Sequence, residues 1–304
     1  MQDDDGPGDT YRKLWSGVST TDYAALAKAN GLERVGARPP LGEYLKEAWE
    51  RRHFAIASAR YVVETKNSRA RLGVVWIVLR PLLTAAIYGV VFGLIMPSGS
   101  RPDNFLPYLV IGVFIFQFFT NSLSSGASSI TGNSGLVQSL SFPRILLPVS
   151  IVLRQLFEIV PVMIALLPIL WITGEPPRWG WFMLIPILAV MTVFNMGCAM
   201  IVGRLTVHFP DLKQIIPFIS RLLFYASGIF FSLELVFAGT EKAGLLRLAQ
   251  LNPVHDFISL TRGYMIDGPP ATPFMWLVVG VGAIVVLVFG TLFFWAAEEQ
   301  YGND

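Results

Sequence analysis

Gly73 to Met96 reads GVVWIVLRPLLTAAIYGVVFGLIM, a run of apolar side chains in which Arg80 is the one charged residue. Crossing the hydrocarbon of a bilayer takes about 20 consecutive, mostly apolar residues, and this run supplies them. Further segments of the same kind lie at 106–128, 145–173, 181–205, 214–236 and 274–297. The reading is therefore all-α: an integral membrane protein with six transmembrane helices. Composition agrees. Of 304 residues, 53% are hydrophobic and only 14% charged, against about 25% charged in an ordinary soluble domain, and the mean hydropathy is +0.55.

The net charge of +2 is too small to suggest nucleic-acid binding, but the charges are unevenly spread. Residues 1–80 hold 13 of the 23 Lys and Arg. Lys46, Arg51, Arg52, Arg60, Lys66, Arg69, Arg71 and Arg80 crowd the approach to the first span, whereas the short loops after the first and third spans carry only Arg101 and Arg178. By the positive-inside rule, and with an even number of spans, both termini are expected in the cytoplasm, in a multi-pass protein of the cytoplasmic (inner) membrane. Asp3, Asp4, Asp5 and Asp9 with no apolar run behind them do not read as a secretory signal. One cysteine, Cys198, and three scattered histidines offer neither a disulfide nor metal-ligand spacing, so no metal is expected.

Four regions follow. Residues 1–40 are polar and interrupted by Gly6-Pro7-Gly8 and Pro39-Pro40, which reads as a cytoplasmic tail. Over 41–70, Leu41, Leu45, Trp49, Ile56 and Val63 recur at steps of four and seven with Arg51, Arg52, Arg60 and Lys66 between them, the pattern of an amphipathic interface helix in the headgroup plane. A soluble helix packed on a partner is the alternative. Residues 71–297 are the six-helix transmembrane domain and 298–304 a short cytoplasmic tail. Between spans five and six, Glu241–Gln250 and Val254–Tyr264 are too short to cross and read as re-entrant or interfacial helices on the exterior, separated by Asn252-Pro253.

No Gly-Lys dipeptide occurs, so a phosphate-cradling loop for a nucleotide is missing and ATP-driven work must come from another chain. Gly126-Ala127-Ser128-Ser129 has the look of a serine-nucleophile turn. His208 lies by a cytoplasmic loop and His255 in the exterior segment, so neither is an intramembrane base, and no catalytic residue is assigned.

Leu72-Gly73-Val74-Val75-Trp76 with Pro81-Leu82 and Val91-Phe92-Gly93, then Asn133, Leu136-Val137 and Phe142-Pro143-Arg144-Ile145-Leu146-Leu147-Pro148, together with Asn252-Pro253 and Arg262, resemble the Wzm-type permease subunits of type-2 ATP-binding-cassette exporters of cell-surface polysaccharides. The likeness runs over about 41–300, and Phe-Pro-Arg is its most specific piece. One departure is Pro210-Asp211 where relatives often carry Arg-Asp, which puts the charge pairing of that loop in doubt. The resemblance implies a half-transporter that pairs with a second copy of itself and with two copies of a cytoplasmic ATPase. That partner would bind ATP and Mg, leaving this chain without a cofactor. The cargo it implies is a polyprenyl-diphosphate-linked polysaccharide of O-antigen, teichoic acid or galactan type, and the extended acidic tail favours the actinobacterial cell-wall galactan. A drug or small-lipid exporter is the alternative within the class. A membrane enzyme or scaffold independent of ATP is the alternative outside it.

Under that resemblance, Thr131–Arg144 is the element that docks on the ATPase, through Asn133, Leu136, Val137, Leu140, Phe142 and Arg144. An ordinary interhelical loop is the bland alternative. Tyr88, Phe92, Phe116, Phe119, Tyr225 and Phe231 are candidates for a channel that holds sugar rings loosely on flat apolar faces, although most aromatic residues of membrane helices face lipid or neighbours. Arg60, Arg69, Arg71 and Arg80 are placed to meet a diphosphate headgroup with paired guanidinium hydrogen bonds, or simply to anchor on anionic lipid. Arg154 and Glu158 stand four apart on the third span, close enough to pair as a gate or as a helix tie.

Overall fold

The computed structural model describes residues 39–66, 71–73, 75–95, 104–139, 142–231, 251–268 and 270–299. The tail before Pro39, Arg69, Leu140, Glu241–Gln250 and the last five residues lie outside them. Everything described from Pro40 onward belongs to one compact unit. Its described secondary structure is helical, without strands.

Helices α1 (Leu41–Glu50) and α2 (Arg52–Lys66) precede α3 (Val75–Ile95), α4 (Phe105–Ala127), the short α5 (Ser134–Ser139) and α6 (Leu146–Ile172). Then come α7 (Leu184–His208), α8 (Leu212–Ala226), α9 (Pro253–Met265) and α10 (Pro273–Trp295). Five of the described helices are long and apolar enough to span: α3, α4, α6, α7 with the 3-10 turn before it, and α10. Helix α4 is apolar around most of its girth and sits at the centre, walled by α3, α6, α7, α8 and α9. Its crossing with α7 is made close by small residues, since a Cβ on Gly126 would fall 2.6 Å from that of Ala199. Helices α7 and α10 share the most extensive packing, and a Cβ on Gly290 would meet the Gly197 carbonyl oxygen at 2.6 Å.

The expected span over 214–236 is not one continuous helix. Helix α8 stops at Ala226 after 15 residues, about 22 Å of rise against a hydrocarbon core of about 30 Å. The chain then turns at Gly228, whose φ is +65°. The cause lies in α9. The buried Arg262 guanidinium donates to the carbonyls of Tyr108 (3.1 Å), Gly228 (2.9 Å) and Ile229 (3.0 Å), and Tyr108 Oη donates to Gly228 and Phe231. Four of these side-chain bonds take up carbonyl groups around the turn, where a continuing helix would have left them to its own amides. Gly112 makes room, because a Cβ there would lie 2.5 Å from Arg262 Nη2.

Of the two short helices expected to be re-entrant or interfacial, the described one, α9, is buried in the protein. It is enclosed by α4, α7 and α10 with Asp256, Phe257, Ile258 and Leu260 all buried. Asn252 caps it, accepting from the Val254 N–H at 3.1 Å, with Pro253 at its first position. The single amphipathic helix expected at 41–70 is two helices, broken at Arg51. Helix α2 packs along α6, and its Ala55 and Ala59, four apart and both 1% exposed, allow the approach.

Candidate functional site

Between α3, α4 and α6 lies a cleft of about 370 Å³ whose lining is polar for a membrane interior. Helix α4 supplies Gln117, Asn121 and Ser125, each four residues from the last and so on one face. Helix α6 adds Arg154, Gln155 and Glu158, and α3 adds Arg80 and Thr84. Arg154 Nη2 donates to Ser125 Oγ at 3.2 Å. Its Nε lies 3.8 Å from Glu158 Oε1, an ion pair too long for a hydrogen bond, and that buried Nε has no hydrogen-bond partner among the described residues. Two guanidinium groups against one carboxylate leave the cleft with an excess of one positive charge. Arg154 and Ser125 also line a second cleft of about 460 Å³, walled by α2, the end of α4, Asn133, Leu136 and the start of α6. The Arg154–Ser125 contact therefore stands between a space inside the bundle and a space beside α5.

Of the three described headgroup candidates, Arg60, Arg71 and Arg80, Arg80 alone borders the cleft; it is exposed, with its guanidinium 5.7 Å from the Trp76 ring centre. Arg60 leans on Phe157 of α6 and Arg71 is exposed, so these three do not form one cluster.

The aromatic candidates form a chain of rings. Phe92 stacks on Phe230 with centroids 3.9 Å apart, Tyr88 contacts Phe224 and Phe230, and Phe116 contacts Phe119 and Phe224. Phe116 and Phe119 are buried within the chain and present no free face in this conformation, whereas Tyr225 is 53% exposed. Phe231 packs at the margin of the same core. Phe224 and Phe230 are the rings that join the set. The Arg262-bound turn is what holds Phe230 against Phe92.

The segment after α4 divides differently from the expectation. Leu136 on α5 is exposed at 37%, but Val137 is buried with Ile130, Ile145 and Phe294, and Phe142 packs on Phe54 of α2 at 5.4 Å between ring centres. Asn133 Nδ2 donates to the Ser129 carbonyl. Arg144 also turns inward: its N–H donates to Glu298 Oε1 at 3.0 Å and its Nη1 to the Glu298 carbonyl. Val137 and Phe142 thus pack within the chain, and Leu136 is the described apolar side chain of α5 that projects.

At the opposite end of the bundle, Glu175 is fully buried and binds Asn104 Nδ2, the Asp267 N–H (3.0 Å) and Arg178 (3.3 Å). Arg178 also pairs with Asp267 at 2.8 Å. That hydrogen bond and charge pull the Asp267 carboxyl below its usual value and push Arg178 up. Among the described residues no group of three or more His, Cys, Asp or Glu is arranged to hold a metal ion.

The ABC-2 type transporter family profile matches residues 56–266. The O-antigen export system permease protein RfbA of Klebsiella pneumoniae is 25% identical over 238 residues, covering 76% of this chain and 89% of that protein. Its namesake in Myxococcus xanthus is 24% identical over 262 residues, 86% of this chain and 98% of the relative. The polysialic acid transport protein KpsM of Escherichia coli is 27% identical over 177 residues, 57% and 67% respectively.

Proposed function

The chain belongs to the ABC-2 type transporter family, and from that premise we propose that it is the membrane permease of an ATP-driven polysaccharide exporter. The observation that carries the reading is the likeness to O-antigen export permeases along 86% of the chain, joined to a polar intramembrane cleft. A carbohydrate or its phosphate-bearing head presents hydroxyl and anionic oxygens, which Gln117, Asn121, Arg154 and Arg80 are chemically suited to meet. A compact apolar drug would leave those groups unpaired, so the drug-exporter reading is the weaker one.

In this reading the α1/α5 end faces the cytoplasm, because Lys46, Arg51, Arg52, Arg60 and Lys66 flank the first span there. Helices α1 and α2 lie near the headgroups, α5 meets the ATPase through Leu136, and α8 with its turn stands in the place of the span expected over 214–236. Two copies of the chain assemble with two of the ATPase, which brings ATP and Mg. The cargo is lipid-linked, and a galactan is the favoured polymer. The test is transport into sealed vesicles holding the chain and its ATPase partner, with polyprenyl-diphosphate-linked galactan as the probe. ATP-dependent protection of the glycan from an added glycosidase is the expected result, and movement that is indifferent to ATP or to the partner overturns the reading.

A further inference from the structure

Tyr44, Arg144 and Glu298 meet at the α1/α5 end, although 254 residues separate Tyr44 from Glu298. Tyr44 Oη accepts from the Ile145 N–H at 3.1 Å and donates to Glu298 Oε2 at 2.8 Å. Glu298 Oε1 accepts from the Arg144 N–H at 3.0 Å, and the Arg144 guanidinium donates back to the Glu298 carbonyl. Tyr44 is 1% exposed and Glu298 7%. Around them Val137, Ile145, Leu147, Phe294 and Ala297 form a second apolar core separate from that of the spans.

Three stretches of chain are tied here: α1, the Phe142–Ile145 segment that follows α5, and the turn after α10. Burial pushes the Glu298 carboxyl above the usual carboxylate range despite the bonds it accepts. A carboxylate kept at that cost fixes geometry in a way that apolar packing does not, because its hydrogen bonds are directional.

We propose that Tyr44, Arg144 and Glu298 form a coupling joint, which makes the segment after α5 move as one body with α1 and the end of α10. This rests on the exporter reading above. A displacement delivered to α5 passes through the joint into α10 and, across the Gly197–Gly290 crossing, into α7. Tyr44 and Glu298 are positioning residues that touch neither cargo nor nucleotide, and Arg144 acts within the chain and not on the ATPase surface.

The experiment measures export and ATP hydrolysis in the same vesicles for the assembled complex carrying Tyr44→Phe, Glu298→Gln, or Tyr61→Phe, a change at an exposed tyrosine of α2. Tyr44→Phe keeps the ring but removes both the donor to Glu298 and the acceptor for Ile145. Export per ATP should fall about fivefold or more in Tyr44→Phe, and by a smaller factor in Glu298→Gln, with hydrolysis within about twofold of wild type and Tyr61→Phe unchanged. Should Tyr44→Phe fail to assemble, the ratio in Glu298→Gln decides. Equal export per ATP in all variants, or parallel loss of export and hydrolysis in proportion to folded complex, overturns the joint while leaving the exporter reading in place. A wild-type complex that shows no ATP-dependent export overturns both.

Discussion

Arg154 occupies a position that apolar neighbours cannot tolerate unless its charge is met. Glu158 meets it at 3.8 Å and Ser125 at 3.2 Å. Removing the carboxylate alone, as in Glu158→Leu, strands the guanidinium beside the cleft. Breaking a fully buried pair costs roughly 3–5 kcal/mol, and the long contact with 22% of the Arg154 side chain exposed brings the expected loss nearer ~1–2 kcal/mol. The double variant Arg154→Leu with Glu158→Leu should recover part of that loss, as thermal stability in detergent would show; additive losses would mean that the two do not interact. If the contact also gates the passage between the two clefts, the double variant should hydrolyse ATP normally in the complex yet export less per ATP. At the far end, Asp267 gives a signed pH effect. Arg178 lowers its folded-state pKa, so its contribution to stability is fully present above the ordinary carboxylate value and is lost as pH falls through the folded one. Asp267→Asn should therefore melt lower than wild type near neutral pH and converge with it at acid pH; a gap that persists at low pH argues against this pair as its source.

Among the helices, those of α3, α4, α6, α7 and α10 were legible because about 20 apolar residues in a row have few other fates. The break in α8 was not legible. Residues 214–236 are mostly apolar, with Arg221 and Glu234 as the charged residues, and what stops the helix is a guanidinium 34 residues beyond Gly228. The split between α1 and α2 was hidden for a similar reason, since the pattern of Leu41, Leu45 and Trp49 continues past Arg51 with little change. The polar face of α4 was visible as Gln117, Asn121 and Ser125 at steps of four, but within a helix of many phenylalanines it passed unnoticed. Contacts such as Tyr44 with Glu298 leave no local trace at all. Two predictions belong to this scale. Gly290→Val places a side chain against the Gly197 carbonyl at the α7–α10 crossing, and overpacking of this kind costs about 1–3 kcal/mol or more; an unchanged melting temperature would contradict the crossing. Leu136→Asp on α5 should uncouple ATP hydrolysis from export while Val137→Asp, buried in the second core, should lower stability. The reverse pattern would show that the outward face of α5 has been misread.

The whole molecule is a helical membrane body with a polar cleft and a second apolar core where α1, the segment after α5 and the end of α10 converge. The sequence has no Gly-Lys pair on which to build a nucleotide phosphate loop, so purified chain should hydrolyse no ATP until its partner is added. The aromatic chain should act as a set. Single alanine changes at Tyr88, Tyr225 or Phe231 are expected to slow export modestly and the triple change far more, and complete loss from one folded single variant would refute that sharing. The proposed function is export of a lipid-linked polysaccharide by this chain. Its most direct test is depletion of the chain in the native cell, followed by analysis of the lipid-linked glycans on each side of the membrane. One polyprenyl-diphosphate-linked polysaccharide, a galactan, is expected to accumulate on the cytoplasmic side as its surface form declines; an unchanged distribution of every lipid-linked glycan would overturn the proposal.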